Sequence, residues 1–161
     1  MDPQETLGPW RRVAPVSGLT KDGRADDLAL ALWTDGFHSP TLFIGELSPK
    51  GQRALIEARP QLRARFLFTG LPDSGAVPSV DFIEHLEVEH IILNNHRWPW
   101  AKFGGPERLR ILRRNGRHVW ETATHGAIAL EMHNGRLRLC APNRTLWTDP
   151  QSAPKKSPRT P

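Results

Sequence analysis

Ile128-Ala129-Leu130-Glu131-Met132-His133-Asn134-Gly135-Arg136-Leu137-Arg138-Leu139 is the stretch from which the fold is read. Asn-Gly between two alternating runs signals a two-residue type I′ hairpin, because both central residues of that turn need positive φ. A loop of that length fixes the register. His133 then pairs with Arg136, Met132 with Leu137, Glu131 with Arg138, and Leu130 with Leu139. Ile128, Leu130, Met132, Leu137 and Leu139 share one face, and Glu131 meets Arg138 as an opposite charge on the other.

The same signal occurs upstream at Asn115-Gly116. A hairpin there pairs Arg114 with Arg117, Arg113 with His118, Leu112 with Val119, Ile111 with Trp120, and Arg110 with Glu121. Together the two Asn-Gly hairpins predict a four-strand antiparallel meander. Two copies are too few for a tandem-blade architecture.

Further upstream, Leu28, Leu30 and Leu32 alternate with Ala29, Ala31 and Trp33, the period of a strand. Asp35-Gly36 and then Thr41-Leu42-Phe43-Ile44 make this an N-terminal hairpin, whose second strand begins after Pro40. Ser48-Pro49 opens a helix, with Ser as N-cap and Pro at the first helical position, and Pro60 closes it. Leu62, Ala64, Phe66 and Phe68 read as a strand with one apolar face, Ser79 as the cap of a second short helix, and Val88 to Leu93 as a short strand. The expected fold class is α+β, a single domain in which an N-terminal β-hairpin and short helices precede the meander. Its expected limits are 26–149, after a flexible segment over 1–25 and before a disordered, basic, Pro-rich tail over 150–161.

The net charge of +5 is unevenly spread: +1 over 1–25, −4 over 26–101, +5 over 102–149 and +3 over 150–161. An acidic first half and a basic second half speak to partners rather than to fold. Cys140 is the only cysteine, so no intramolecular disulfide can form, and a lone thiol suits a reducing compartment. The N-terminus has no apolar run, and nowhere do 18 apolar residues follow one another. These features predict an intracellular protein, cytoplasmic or nuclear, with no membrane partner.

Catalytic signatures are sparse. No Gly-x-Ser-x-Gly elbow and no phosphate loop occur, and one cysteine rules out the thiolate-rich zinc cages. His85, His90 and His96 are spaced by five and six, which matches no helical face. No cofactor and no metal are expected.

Glu89-His90 on an apolar run, then Asn94, Asn95 and His96, a Gly-Gly turn and Leu109, resembles the opening of HNH-type nucleases. That resemblance implies a divalent-metal nuclease centred on His90. The sequence departs from the family pattern at Arg108, where a loop Asn belongs. The Asn115-Gly116 hairpin stands where the metal-bearing helix belongs, with His118 as the nearest substitute.

Basic residues interleaved with aromatics form the remaining constellation: Arg97, Trp98, Trp100 and Lys102 in a loop, Arg113, Arg114 and Arg117 on the first hairpin, and Lys155 and Lys156 in the tail. Arginine forks suit phosphate and indole faces suit unpaired bases. The expected function is therefore non-catalytic binding, with RNA or DNA favoured as partner. A protein-interaction adaptor using the acidic first half is the alternative, and a His90-centred HNH-like nuclease the third reading.

Overall fold

The computed structural model describes residues 6–7, 9–14, 31–35, 39–45, 47–70, 78–94, 105–134 and 136–150. Its fold class is α+β. The chain gathers into two compact units, Met1–Thr124 and His125–Pro161.

A seven-stranded mixed sheet organises the first unit: β1 (Thr6–Leu7), β2 (Trp10–Ala14), β3 (Ala31–Thr34), β4 (Thr41–Ile44), β5 (Phe66–Gly70), β6 (His90–Asn94) and β7 (His118–Glu121), in that spatial order. The first four strands pair antiparallel, whereas β4 to β7 pair parallel. The expected N-terminal hairpin is present as β3–β4, with Trp33 opposite Leu42 and β4 starting directly after Pro40. The stretch 1–25 contributes two strands, and Val13 belongs to the core.

Parallel neighbours need crossovers, and each is helical here. α1 (Pro49–Ala58) joins β4 to β5, α2 (Val80–His85) joins β5 to β6, and α3 (Gly105–Leu112) joins β6 to β7. Local chemistry sets their starts. The Ser48 hydroxyl accepts from the Gly51 N–H at 3.2 Å with Pro49 in the first turn, and the Ser79 hydroxyl accepts from Phe82 N–H at 3.2 Å. Leu55 of α1, Phe82 and Ile83 of α2, and Leu112 of α3 meet Leu42, Ile44, Leu67, Ile91, Leu93 and Val119 in one hydrophobic cluster. The strand residues in that cluster alternate along their strands, so all three helices cover the same sheet face. The opposite face carries Phe43, Phe66, Phe68, His90, Ile92 and Trp120.

Here two expectations are corrected. Residues 109–112 are not a strand, and Asn115-Gly116 does not close a hairpin. Leu109 and Leu112 are three apart and both meet the core, which is helical spacing. Glu107 and Arg110 form an i,i+3 ion pair at 2.6 Å on the exposed side. Hydrogen bonding to the Arg110 guanidinium holds the Glu107 carboxyl below its usual range. The helical pattern continues as Arg113 N–H donates to Leu109 O, and Asn115 (φ 60°) and Gly116 (φ 75°) end it. Both residues are left-handed, the conformation that a type I′ turn needs, but left-handed residues also terminate helices. The dihedral signal was legible, and its element was not.

Consequently the four-strand meander is a three-strand one, and the strand beginning at His118 belongs to the parallel sheet. The second unit pairs β8 (Ala129–His133), β9 (Arg136–Ala141) and β10 (Arg144–Thr148) antiparallel, in the order β10-β9-β8. α4 (Thr122–His125) is the single turn where the chain passes from one unit to the next. β8 and β9 have the register read from the sequence: His133 with Arg136, Met132 with Leu137, Glu131 with Arg138 and Leu130 with Leu139. Leu137, Leu139 and Ala141 are buried on one face. Gly135 and the tail from Gln151 onward lie outside the described residues. Among the described residues no helix is long and apolar enough to cross a membrane.

Candidate functional site

Of the residues singled out for nucleic-acid contact, Arg97, Trp98, Trp100, Lys102, Lys155 and Lys156 lie outside the described residues. The first four belong to the connection that leaves the carboxyl end of β6 at Asn94 and enters α3 at Gly105. Arg113, Arg114 and Arg117 follow α3. Because β6 and β7 are parallel, α3 has by then returned the chain toward the amino end of β7.

These three arginines do not form a free basic surface. Arg117 was expected at an exposed hairpin tip, but its side chain is only 7% exposed and meets Glu84 of α2 at 3.2 Å. The Asn115 amide donates to the same carboxylate at 3.1 Å. Arg113 reaches the half-buried Glu121 at 3.4 Å. The expected like-charge pair of Arg114 and Arg117 across a tight turn is replaced by a 3-10 turn, and of the three only Arg114 projects without an ion pair among the described residues. Arg63 and Arg65 are likewise paired, to Glu87 and Glu89. The arginines of the first unit act largely as braces between its elements.

His90, the centre of the nuclease resemblance, is 1% exposed. Parallel register sets Phe66, His90 and His118 side by side on β5, β6 and β7. Their rings stack nearly flat, with centroids 4.8 Å apart for Phe66–His90 and 5.1 Å for His90–His118. The Trp120 indole N–H donates to His90 Nδ1 at 3.4 Å, which makes that nitrogen an acceptor and puts the imidazole proton on Nε2. α3 occupies the place where a hairpin was expected, but it carries no histidine. Among the described residues no group of three or more His, Cys, Asp and Glu side chains could hold a metal.

A different set of basic residues converges in the second unit. Arg136 and Arg138 are two apart on β9, so they share one sheet face. His133 stands opposite Arg136, while Glu131 and Thr148 flank Arg138 from β8 and β10. His133, Asn134, Arg136, Arg138 and Thr148 line a concavity of about 420 Å³. Arg138 Nε is out of solvent with no hydrogen-bond partner. Leaving a buried charged donor unsatisfied costs about 1–3 kcal/mol or more, so such an atom calls for an explanation. Cys140 is next along that face, and burial first, then a hydrogen bond to Glu131, pushes its thiol pKa up.

Sequence reasoning recorded the register of Arg136 and Arg138 but placed its candidate contacts at Arg97, Trp98, Trp100 and Lys102, at Arg113, Arg114 and Arg117, and at Lys155 and Lys156. What could have found them is their i,i+2 spacing beside His133 and the turn. The chain matches no family model, no curated protein and no solved structure.

Proposed function

We propose that this chain is a non-catalytic nucleic-acid-binding protein that engages the phosphate backbone through its second unit. The observation that carries the reading is the segregation of charge. The second unit, His125–Pro161, holds six Lys and Arg against two Asp and Glu, a net of +4 in 37 residues. That leaves only +1 for the first unit's 124 residues. In the first unit Arg63, Arg65, Arg110, Arg113 and Arg117 each have a carboxylate partner. Of the second unit's surplus Arg136, Arg138 and Arg144 stand on the small sheet, while Lys155, Lys156 and Arg159 follow it in the sequence, a set of cations that suits a polyanion, whose condensed counterions are released on binding.

The test is a salt titration of the full chain on a single-stranded and a duplex oligonucleotide. Affinity should fall steeply with salt in the wild type. Arg136→Ala with Arg138→Ala should lower the magnitude of the log–log slope by about 1–2 units. Arg113→Ala should leave the slope unchanged, since that residue is already paired. No affinity in the wild type at low salt would remove the reading.

One observation favours the adaptor reading instead. Phe43 on β4 is 41% exposed, although its ring stacks on Phe68 at 4.2 Å and meets Trp10 edge-on at 5.4 Å. An exposed aromatic held this firmly is suited to a protein partner. Binding of that kind would depend weakly on salt.

A further inference from the structure

The unpaired Nε of Arg138 has a local cause. Glu131 is the acid that the register sets opposite Arg138, and it is the natural partner for the guanidinium. The Cys140 thiol lies next along the same face, and among the described residues no ion pair joins Glu131 to Arg138. The other flank offers Thr148, a hydroxyl that cannot neutralise a cation. Arg138 is therefore half sheltered from water, with no carboxylate paired to it among the described residues.

We infer that the concavity lined by His133, Asn134, Arg136, Arg138 and Thr148 is a binding site for a single phosphate group. Arg136 and Arg138 supply planar forks that match phosphate oxygens, and Asn134 and Thr148 add neutral donors at the rim. The site has no aromatic face of Phe or Trp on which a base could stack. Strand alternation puts Leu130, Leu137, Leu139 and Trp147 on the other face, and no Phe or Trp shares the face of Arg136 and Arg138. The ligand chemistry is thus the phosphate itself, whether it ends a free phosphate monoester or belongs to a polynucleotide backbone. The choice of the backbone as its source rests on the nucleic-acid reading above.

The test is calorimetric titration of the full chain with inorganic phosphate, with ionic strength held constant by chloride. The same proteins are then titrated with a short oligonucleotide. Arg138→Lys keeps the charge but removes the planar fork, and Thr148→Val keeps the shape but removes the hydroxyl. The wild type should bind inorganic phosphate, and Arg138→Lys should weaken it by about 10-fold to 100-fold, as expected for a charge-assisted hydrogen bond. Thr148→Val should weaken it less, and Arg113→Ala should not change it. Thermal melts of each variant separate loss of the site from loss of the fold, and Thr148→Val serves if Arg138→Lys fails to fold. Phosphate binding without oligonucleotide binding keeps the site and overturns the polynucleotide as its source. Oligonucleotide binding with no phosphate binding, or with unchanged phosphate affinity in both Arg138→Lys and Thr148→Val, overturns the site and leaves the broader reading standing. Binding of neither probe overturns both.

Discussion

His90→Ala is expected to destabilise the protein by about 2–4 kcal/mol, with no change in the denaturant m value. The ring is 1% exposed and sits flat between Phe66 and His118, so truncation opens a cavity in the middle of a parallel sheet. Large-to-small changes at such positions lose both the transfer free energy and the contacts around the void. The Trp120 indole N–H also loses the acceptor it has in His90 Nδ1. His90→Phe separates these effects, because it refills the ring position and removes only the polar nitrogens. That variant should lose about 1 kcal/mol. The measurement is urea denaturation followed by tryptophan fluorescence. If His90→Ala unfolds within about 0.5 kcal/mol of wild type, the range of ordinary surface changes, the stack does not exist in solution. A nuclease activity abolished by His90→Ala in a variant that keeps its stability would instead restore the HNH reading.

Gln52→Leu is the second large effect, expected at about 2–4 kcal/mol. Gln52 lies in α1 with its side chain 1% exposed. Its amide Nε2 donates to Leu47 O at 2.9 Å, and its Oε1 accepts from the Ser79 N–H at 2.8 Å. One side chain thus joins the start of α1 to the N-cap of α2, across two consecutive crossovers and 27 residues of chain. Leucine fills the space but leaves a buried carbonyl and a sheltered N–H without those partners, at about 1–3 kcal/mol each, offset in part by its own burial. Gln52→Glu gives an independent check. A carboxylate there cannot donate to Leu47 O, so its carboxyl pKa rises on folding. That variant should be least stable at neutral pH and recover as pH falls through the raised pKa, because the protonated acid can donate. Equal stability of Gln52→Leu and wild type would mean that the two loops are not joined through this residue.

How much of this was legible in the sequence depends on the range of the signal. Ser48-Pro49 and Ser79 named both helix starts correctly, because an N-cap acts within three residues. Asn134-Gly135 gave the register of β8 and β9 pair by pair, because a two-residue loop leaves no freedom. The same dipeptide at Asn115-Gly116 misled, since positive φ serves a hairpin and a helix end equally and only tertiary packing of Leu109 and Leu112 decides. Phe66-Leu67-Phe68 carried the sign of a strand buried on both faces, yet the alternation of Leu62, Ala64, Phe66 and Phe68 suggested one with a single apolar face. The strand begins only at Phe66, and all three residues are buried. The parallel order of β4 to β7 was not readable, because it depends on contacts more than twenty residues apart.

The candidate site followed from the same error. Reading 109–121 as a hairpin made Arg113, Arg114 and Arg117 look solvent-exposed and surplus. Arg117 and Arg113 are instead folded against Glu84 and Glu121, and the concavity with two arginines in its lining is the one at Arg136 and Arg138. A charge count by segment cannot foresee this, because it does not know which acids lie within reach.

The parallel partners are separated by nearly constant lengths of chain. From Thr41 to Phe66, Phe66 to His90 and His90 to His118 the distances along the sequence are 25, 24 and 28 residues. Closing a loop costs an entropy that grows only as the logarithm of its length, so these three closures differ by about 0.1 kcal/mol. Chain entropy therefore sets no preferred order of assembly among them. The order falls to burial, and β5, apolar on both faces and flanked on each side, is the strand on which the most apolar surface can condense first. Growth outward from β5 adds each neighbour at the same modest separation, and no step has to bring together the distant ends of the chain. For β4 to β7, then, the closures are repeated steps of one size.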